Sequence, residues 1–197
     1  LPFRRLKEIL GKPEEEVTDI ISRLRDSKLV RIDDGLDNPV VAVFHPWIEE
    51  AVSRLIPATE RERIHGRIAS ILKRDPDLRQ QLSATAGICL HFLRSTSPAK
   101  AVPYLPRALE YTLGNSSFRK ALDLYEAALS RKILSLAPPD NWLTYVKLLL
   151  KTGQEKRCRD FIESGSGSGI SRTLLFRLGH LLDSLDLNPR EICPGLA

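Results

Sequence analysis

Four histidines and three cysteines are the residues with which this chain could build a metal site or a nucleophile. His45 and His65 lie 20 residues apart with no pair of cysteines beside them, a spacing that matches no zinc site. They read instead as packing or hydrogen-bonding residues. Cys89 and His91 are two positions apart, so on a helix their side chains point about 200° away from each other and cannot share one ion. Cys89 then reads as a small core residue. No Ser/His/Asp or Cys/His grouping occurs at a recognisable spacing. The expectation is a chain with no catalytic residue, no metal and no cofactor.

The chemistry that the sequence does offer is recognition. Ile170, Leu174, Leu178, Leu181, Leu182 and Leu185, with Leu175 beside them, recur at helical spacing and make a wide apolar stripe. Arg172, Arg177, Asp183 and Asp186 fall largely off it. Asn188-Pro189 reads as a break followed by a new helical turn, with Asn188 as N-cap. A helix of this length is marginal alone in water because its nucleus is costly. It needs a surface, on which each fully buried leucine contributes about 1.5–3 kcal/mol. Before the stripe stands Ser164-Gly165-Ser166-Gly167-Ser168-Gly169, an alternation without side chains to bury. Residues 164–169 are expected to be a flexible, engineered joint, and residues 170–197 a partner peptide tethered to its receptor. A tether of that length spans about 13 Å and holds its cargo at about millimolar effective concentration. The plainer alternative is that the stripe is the last helix of the preceding array, closing its open end.

The elements that would receive such a stripe follow from periodicity. Phe3, Leu6, Ile9 and Leu10 mark a first helix, ended by Gly11. Pro13 opens a second, with Glu14, Glu15 and Glu16 complementing the dipole and Val17, Ile20, Ile21 and Leu24 forming its stripe. Residues 29–32 and 40–44 read as a strand pair around an Asp/Gly/Asn/Pro turn. Helix, helix and hairpin are the parts of a winged helix whose first helix would lie upstream, so the chain reads as a fragment. From residue 46 onward the pattern is α-helical. One helix carries Ile48, Ala51, Val52 and Leu55, and the next opens near Thr59 with the capping-box spacing to Glu62. Leu78, Leu82, Ala86, Cys89, Leu90 and Leu93 then make one long apolar face.

Further on, small and bulky residues alternate as in tetratricopeptide repeats. Ala108 and Tyr111 fit a first repeat helix, which Pro103 and Pro106 force to start near Tyr104. Ala121, Tyr125 and Ala128 fit its partner. Trp142, Tyr145 and Leu149 open a second pair, which Thr152-Gly153-Gln154 turns toward Cys158 and Ile162. Ala121 and Cys158 are 37 residues apart, near the repeat period of about 34. Repeat geometry puts Leu105, Leu109, Leu143, Lys147 and Leu150 on the concave face, the expected seat of the tail. The exposed edge of residues 155–163 is the other candidate.

The run Phe44-His45-Pro46-Trp47-Ile48 with Ala51-Val52, followed by Arg61, His65, Ile68 and Ala69, resembles the post-ATPase arm of signal-transduction ATPases with numerous domains. Tyr104, Ala108, Asn115, Ala121, Tyr125 and Leu129 resemble the first repeats beyond that junction. The resemblance covers residues 3–163. It implies an arm that relays partner or ligand binding to a nucleotide switch in a multidomain signalling protein. Gly11-Lys12-Pro13 lacks the glycine-rich run and the Ser/Thr of a phosphate-binding loop, so nucleotide binding does not carry over.

The chain has 197 residues and a formal net charge of +5, all of it in residues 1–163 because the tail is balanced. Three scattered cysteines form no disulfide framework, which fits a reducing compartment. No apolar run reaches the roughly 20 residues of a membrane span. An intracellular, cytoplasmic protein without membrane contact is expected. A winged helix raises DNA binding by a transcriptional regulator as the alternative function. Its recognition helix, residues 13–26, carries two arginines against five carboxylates, a net charge of −3. Phosphate contacts need cations there, so nucleic acid is not the expected partner. The surplus cations lie instead at Arg61, Arg63, Arg67, Lys73 and Arg74, and between Lys147 and Arg159. An enzyme completed by domains outside the chain is a third possibility. The expected architecture is mainly α. It comprises a truncated winged helix with a small hairpin (1–56), tetratricopeptide-like helix pairs (57–163), the linker (164–169) and an amphipathic helix (170–197). The expected function is a non-enzymatic protein-interaction module that binds a leucine-rich helix.

Overall fold

A computed structural model describes residues 3–33, 39–79, 81–135, 139–166, 177, 178, 180 and 181. It is mainly helical with one two-stranded antiparallel sheet, and it divides into two compact units, Leu1–Ala101 and Val102–Ala197.

In the first unit α1 (Phe3–Leu10) ends at Gly11, whose φ of +65° is a conformation that a Cβ disfavours. Pro13 is the N-cap of α2 (Glu14–Asp26) rather than its first helical residue. The strands β1 (Val30–Asp33) and β2 (Val40–Val43) pair with Val30 opposite Val43 and Asp33 opposite Val40. Val17, Ile21 and Val41 are buried, and Phe3, Leu6, Val30 and Ile32 pack on them. This small core joins the stripes of both helices to one face of the hairpin.

His45 caps α3 (Pro46–Leu55), accepting a long hydrogen bond from the Trp47 backbone N–H at 3.4 Å. Ile48 is buried, but Val52 and Leu55 of the same predicted stripe are 46% and 82% exposed. α4 (Ala58–Arg74) starts earlier than its predicted capping box. Pro57 presets the entry to the helix, which leaves Thr59 inside the first turn, where its hydroxyl cannot cap. The predicted long face of residues 78–93 is two helices, α5 (Pro76–Arg79) and α6 (Leu82–Leu93), because Gln81 takes an extended backbone and restarts the helix. α6 packs along α4, and a 3-10 turn at Pro98–Ala101 folds back on α6. Ala69, Ala86, Ile88, Cys89, Phe92, Leu93 and Ala101 are buried. Arg5 of α1 pairs with Asp75 at the end of α4 at 2.7 Å.

The second unit contains α7 (Leu105–Gly114), α8 (Phe118–Ser130), α9 (Pro139–Lys151) and α10 (Glu155–Ser166). Tyr104 is the N-cap of α7 and Pro106 sits in its first turn, where no donor is required. Each helix packs on the next. Ala108, Ala121, Ala128 and Cys158 are fully buried, so small side chains let the helices approach. Gly153, at φ +70°, makes the turn from α9 to α10. α10 runs through Ser166, so helical backbone continues three residues into the predicted linker. Residues 167–170 lie outside the described residues. So do Leu174, Leu175, Leu182 and Leu185 of the predicted stripe.

Candidate functional site

α9 presents two faces, and its sequence assigns their roles. Trp142, Val146 and Leu149 point into a core with Ala121, Leu122, Tyr125, Cys158 and Ile162. Behind this face the Trp142 and Phe161 rings lie 5.7 Å apart, Tyr145 meets Phe161 edge-on at 5.1 Å, and Tyr125 stacks on Tyr145 at 6.2 Å. Tyr125 donates to the Asn141 backbone carbonyl at 3.2 Å, and Asn141 donates its amide to the Ser135 carbonyl at 2.8 Å. These bonds hold the first turn of α9. Tyr145 also donates to Glu126, which Arg157 binds at 2.7 Å. Burial and the Glu126 charge both push the Tyr145 hydroxyl above its ordinary pKa.

The other face carries Asp140, Leu143, Thr144 and Lys147, at the spacing that aligns one side of a helix. Opposite stand Arg177, His180 and Leu181, and the two sets line a cleft of about 360 Å³. Leu178, between them in helical conformation, is fully buried in the core with Trp142, Val146 and Leu149, while Leu181 is partly buried against it. Arg177 forms an ion pair with Asp140 at 2.5 Å. Among the described residues, the arrangement brings Leu178 and Leu181 onto α9 with the Arg177–Asp140 ion pair lining the cleft beside them.

Of the predicted site residues, the structure brings Leu178 and Leu181 together with Leu143 and Lys147. Leu109 packs on the same core, and Leu150 is buried within it. Leu105 is not among them: as the first residue of α7 it is buried away from this cluster, at 6% exposure. No spacing in the sequence predicts the Arg177–Asp140 pair. Its trace in the sequence is an arginine adjoining the stripe and an acid in the first turn of α9. Side-chain exposures of 47% and 78% put this pair in water. A double-mutant cycle of Arg177→Ala with Asp140→Ala, followed by urea unfolding, is expected to give a coupling below about 1 kcal/mol.

The other candidates resolve into structural roles. Cys89 is fully buried, and burial pushes its thiol up to about 12, which makes it inert at neutral pH. His65 of α4 and His91 of α6 place their Nδ1 atoms 2.8 Å apart, a pairing that no sequence spacing suggests. Burial and the nearby Arg94 depress both, His91 to about 4. Among the described residues no group of three or more His, Cys, Asp or Glu could hold a metal ion. None of the described helices is long and apolar enough to cross a membrane. Glu14 and Glu16, at the start of α2, are paired with Lys7 and Lys12. Comparisons with family models, with curated proteins and with solved structures find no match to the chain.

Proposed function

We propose that the helices after residue 102 are a non-enzymatic interaction module of a multidomain signalling protein. Its ligand is a leucine-rich amphipathic helix, supplied here by residues 170–197. The observation that carries this reading is the seat of Leu178, fully buried against α9 although it follows a Gly/Ser run. Recognition of this kind uses apolar anchors at helical spacing in a groove, with charges at the rim setting register. Leu178, Leu181 and the Arg177–Asp140 pair fit that mode. The resemblance of residues 3–163 to the arm of a signal-transduction ATPase supports the multidomain context. DNA binding by α2 gains no support, since its first turn is acidic.

The test uses the full chain carrying Leu178→Asp. A carboxylate cannot take the place of a fully buried leucine without large cost. Exchange of the α9 amides, residues 142–150, should therefore rise at least tenfold while far-UV helicity stays within a tenth of its original value. Synthetic peptide 170–197, added in trans, should restore the protection saturably. Unchanged exchange in the variant, or no restoration at millimolar peptide, would remove the reading.

A further inference from the structure

Three of the five cations that the sequence concentrates in α4, Arg63, Arg67 and Arg74, share one side of the helix; Arg61 and Lys73 lie off it. Arg63, Arg67, Ser70 and Arg74 recur along one face of α4 and line a cleft of about 450 Å³ in the first unit. Lys100, from the 3-10 turn, lines the same cleft, as do Thr96 and Ser97. Among the described residues, Glu8 of α1 is the one carboxylate in the lining, against four cations. Arg63 is held at the rim by Glu60, with bonds of 2.8 and 2.6 Å. Arg67 lies over Gly11, and its guanidinium reaches the Leu10 carbonyl at 3.5 Å. Among the described residues, Arg74 and Lys100 have no carboxylate partner.

The remaining walls are shaped rather than incidental. Phe92, 3% exposed, and Ile71 make part of the lining apolar, which strengthens charge interactions near it. Ser95 is buried, donating to the Phe92 carbonyl at 2.7 Å and accepting from the Ser97 backbone N–H at 3.1 Å. These bonds fix the turn that carries Thr96 and Ser97. A side chain at Gly66 would meet Ser95 at 3.4 Å, so the glycine lets α4 lie close to that turn. Like charges gathered in a concave site repel one another, and a multivalent anion reverses that cost. Guanidinium forks match phosphate oxygens in geometry as well as charge.

We propose that this cleft binds a small phosphorylated ligand, with its phosphate group between Arg67, Arg74 and Lys100. The site is independent of the peptide-docking reading of the second unit. Isothermal titration of the full chain with sodium pyrophosphate, at low salt, is the direct test, with sulfate at matched ionic strength as comparison. Saturable micromolar binding is expected, with sulfate at least tenfold weaker. Arg74→Ala with Lys100→Ala should weaken pyrophosphate at least tenfold while leaving the thermal midpoint of the free protein nearly unchanged. Glu8→Gln should tighten it several-fold, a gain that a purely structural role for these residues would not produce. No binding at millimolar pyrophosphate, or binding that is equal in the double variant, would overturn the proposal. So would duplex DNA that competes for the same residues with higher affinity, because the cleft would then be part of a nucleic-acid surface.

Discussion

Trp142→Ala lowers the stability of the second unit by about 3–5 kcal/mol, the usual cost of emptying a large aromatic site in a core. The indole is 7% exposed, lies 5.7 Å from the Phe161 ring, and shares its core with Leu149, Cys158, Ile162 and Leu178. Collapse around the cavity is opposed from several sides. Tyr145 is held edge-on to Phe161, and Asn141, beside Trp142, is pinned by Tyr125 and Ser135. The loss should therefore sit toward the upper end of that range. It should also release the tail, since Leu178 rests on the same packing. Urea unfolding followed by circular dichroism would give the energy. Hydrogen exchange would show residues 142–150 and the peptide containing Leu178 losing protection together. A change below 1 kcal/mol, or a tail that keeps its protection, would mean that the core around Trp142 does not hold the docked segment.

The second large effect is of pH, on the first unit. Burial, the neighbouring His65 and Arg94 hold His91 at about 4, against an ordinary value near 6.5. Burial and the Arg94 and Arg61 charges depress His65 as well. The unfolded chain therefore takes up a proton as pH falls through 6.5, and folded His91 does so only near pH 4. Between these values the unfolded state binds more protons, so stability falls as the solution is acidified. It is fully present above pH 6.5. The loss attributable to His91 reaches about 3 kcal/mol below pH 4, at 1.36 kcal/mol for each unit of difference. Exchange of the α4 and α6 amides, corrected for the intrinsic pH dependence, should report it between pH 7 and pH 4.5. His91→Gln keeps a polar side chain beside His65 and removes most of this dependence. If the variant and the original protein respond equally to pH, the histidine pair is not its source.

How much of this could be read in advance differs between local and long-range features. In α7 to α10 the predicted small and aromatic positions Ala108, Ala121, Tyr125, Ala128, Trp142, Cys158 and Ile162 are buried. α7 begins directly after Tyr104, as the two prolines require, and Gly153 makes the expected turn. These features depend on neighbours three or four positions away, so the order of residue types is enough to reveal them. Thr59 shows where such reasoning fails. The capping-box spacing to Glu62 is present, but Pro57 starts α4 two residues sooner and leaves the threonine inside. The predicted face of residues 78–93 failed similarly, because periodicity does not register one extended residue at Gln81. Of the candidate docking residues, Leu143 and Lys147 share one side of α9 because their spacing aligns them, and they line the cleft with Leu181. Leu105 could not be separated from them, since exposure at the first residue of a helix depends on what packs over it.

The amino-acid order alone determined the helical class of this chain, the hairpin near its start, the leucine stripe at its end, and the cations concentrated in one helix. Each of these is written in spacing along a few turns of chain. Tertiary structure alone decided that His65 faces His91, that Arg74 and Lys100 line one cleft, that Leu178 enters the core beside Trp142, and that Arg177 reaches Asp140. These four juxtapositions join residues 26, 26, 36 and 37 positions apart. Contacts at such separations are set by how whole helices pack, through burial that rewards any complementary apolar face. No pattern within one helix records which other helix will supply that face.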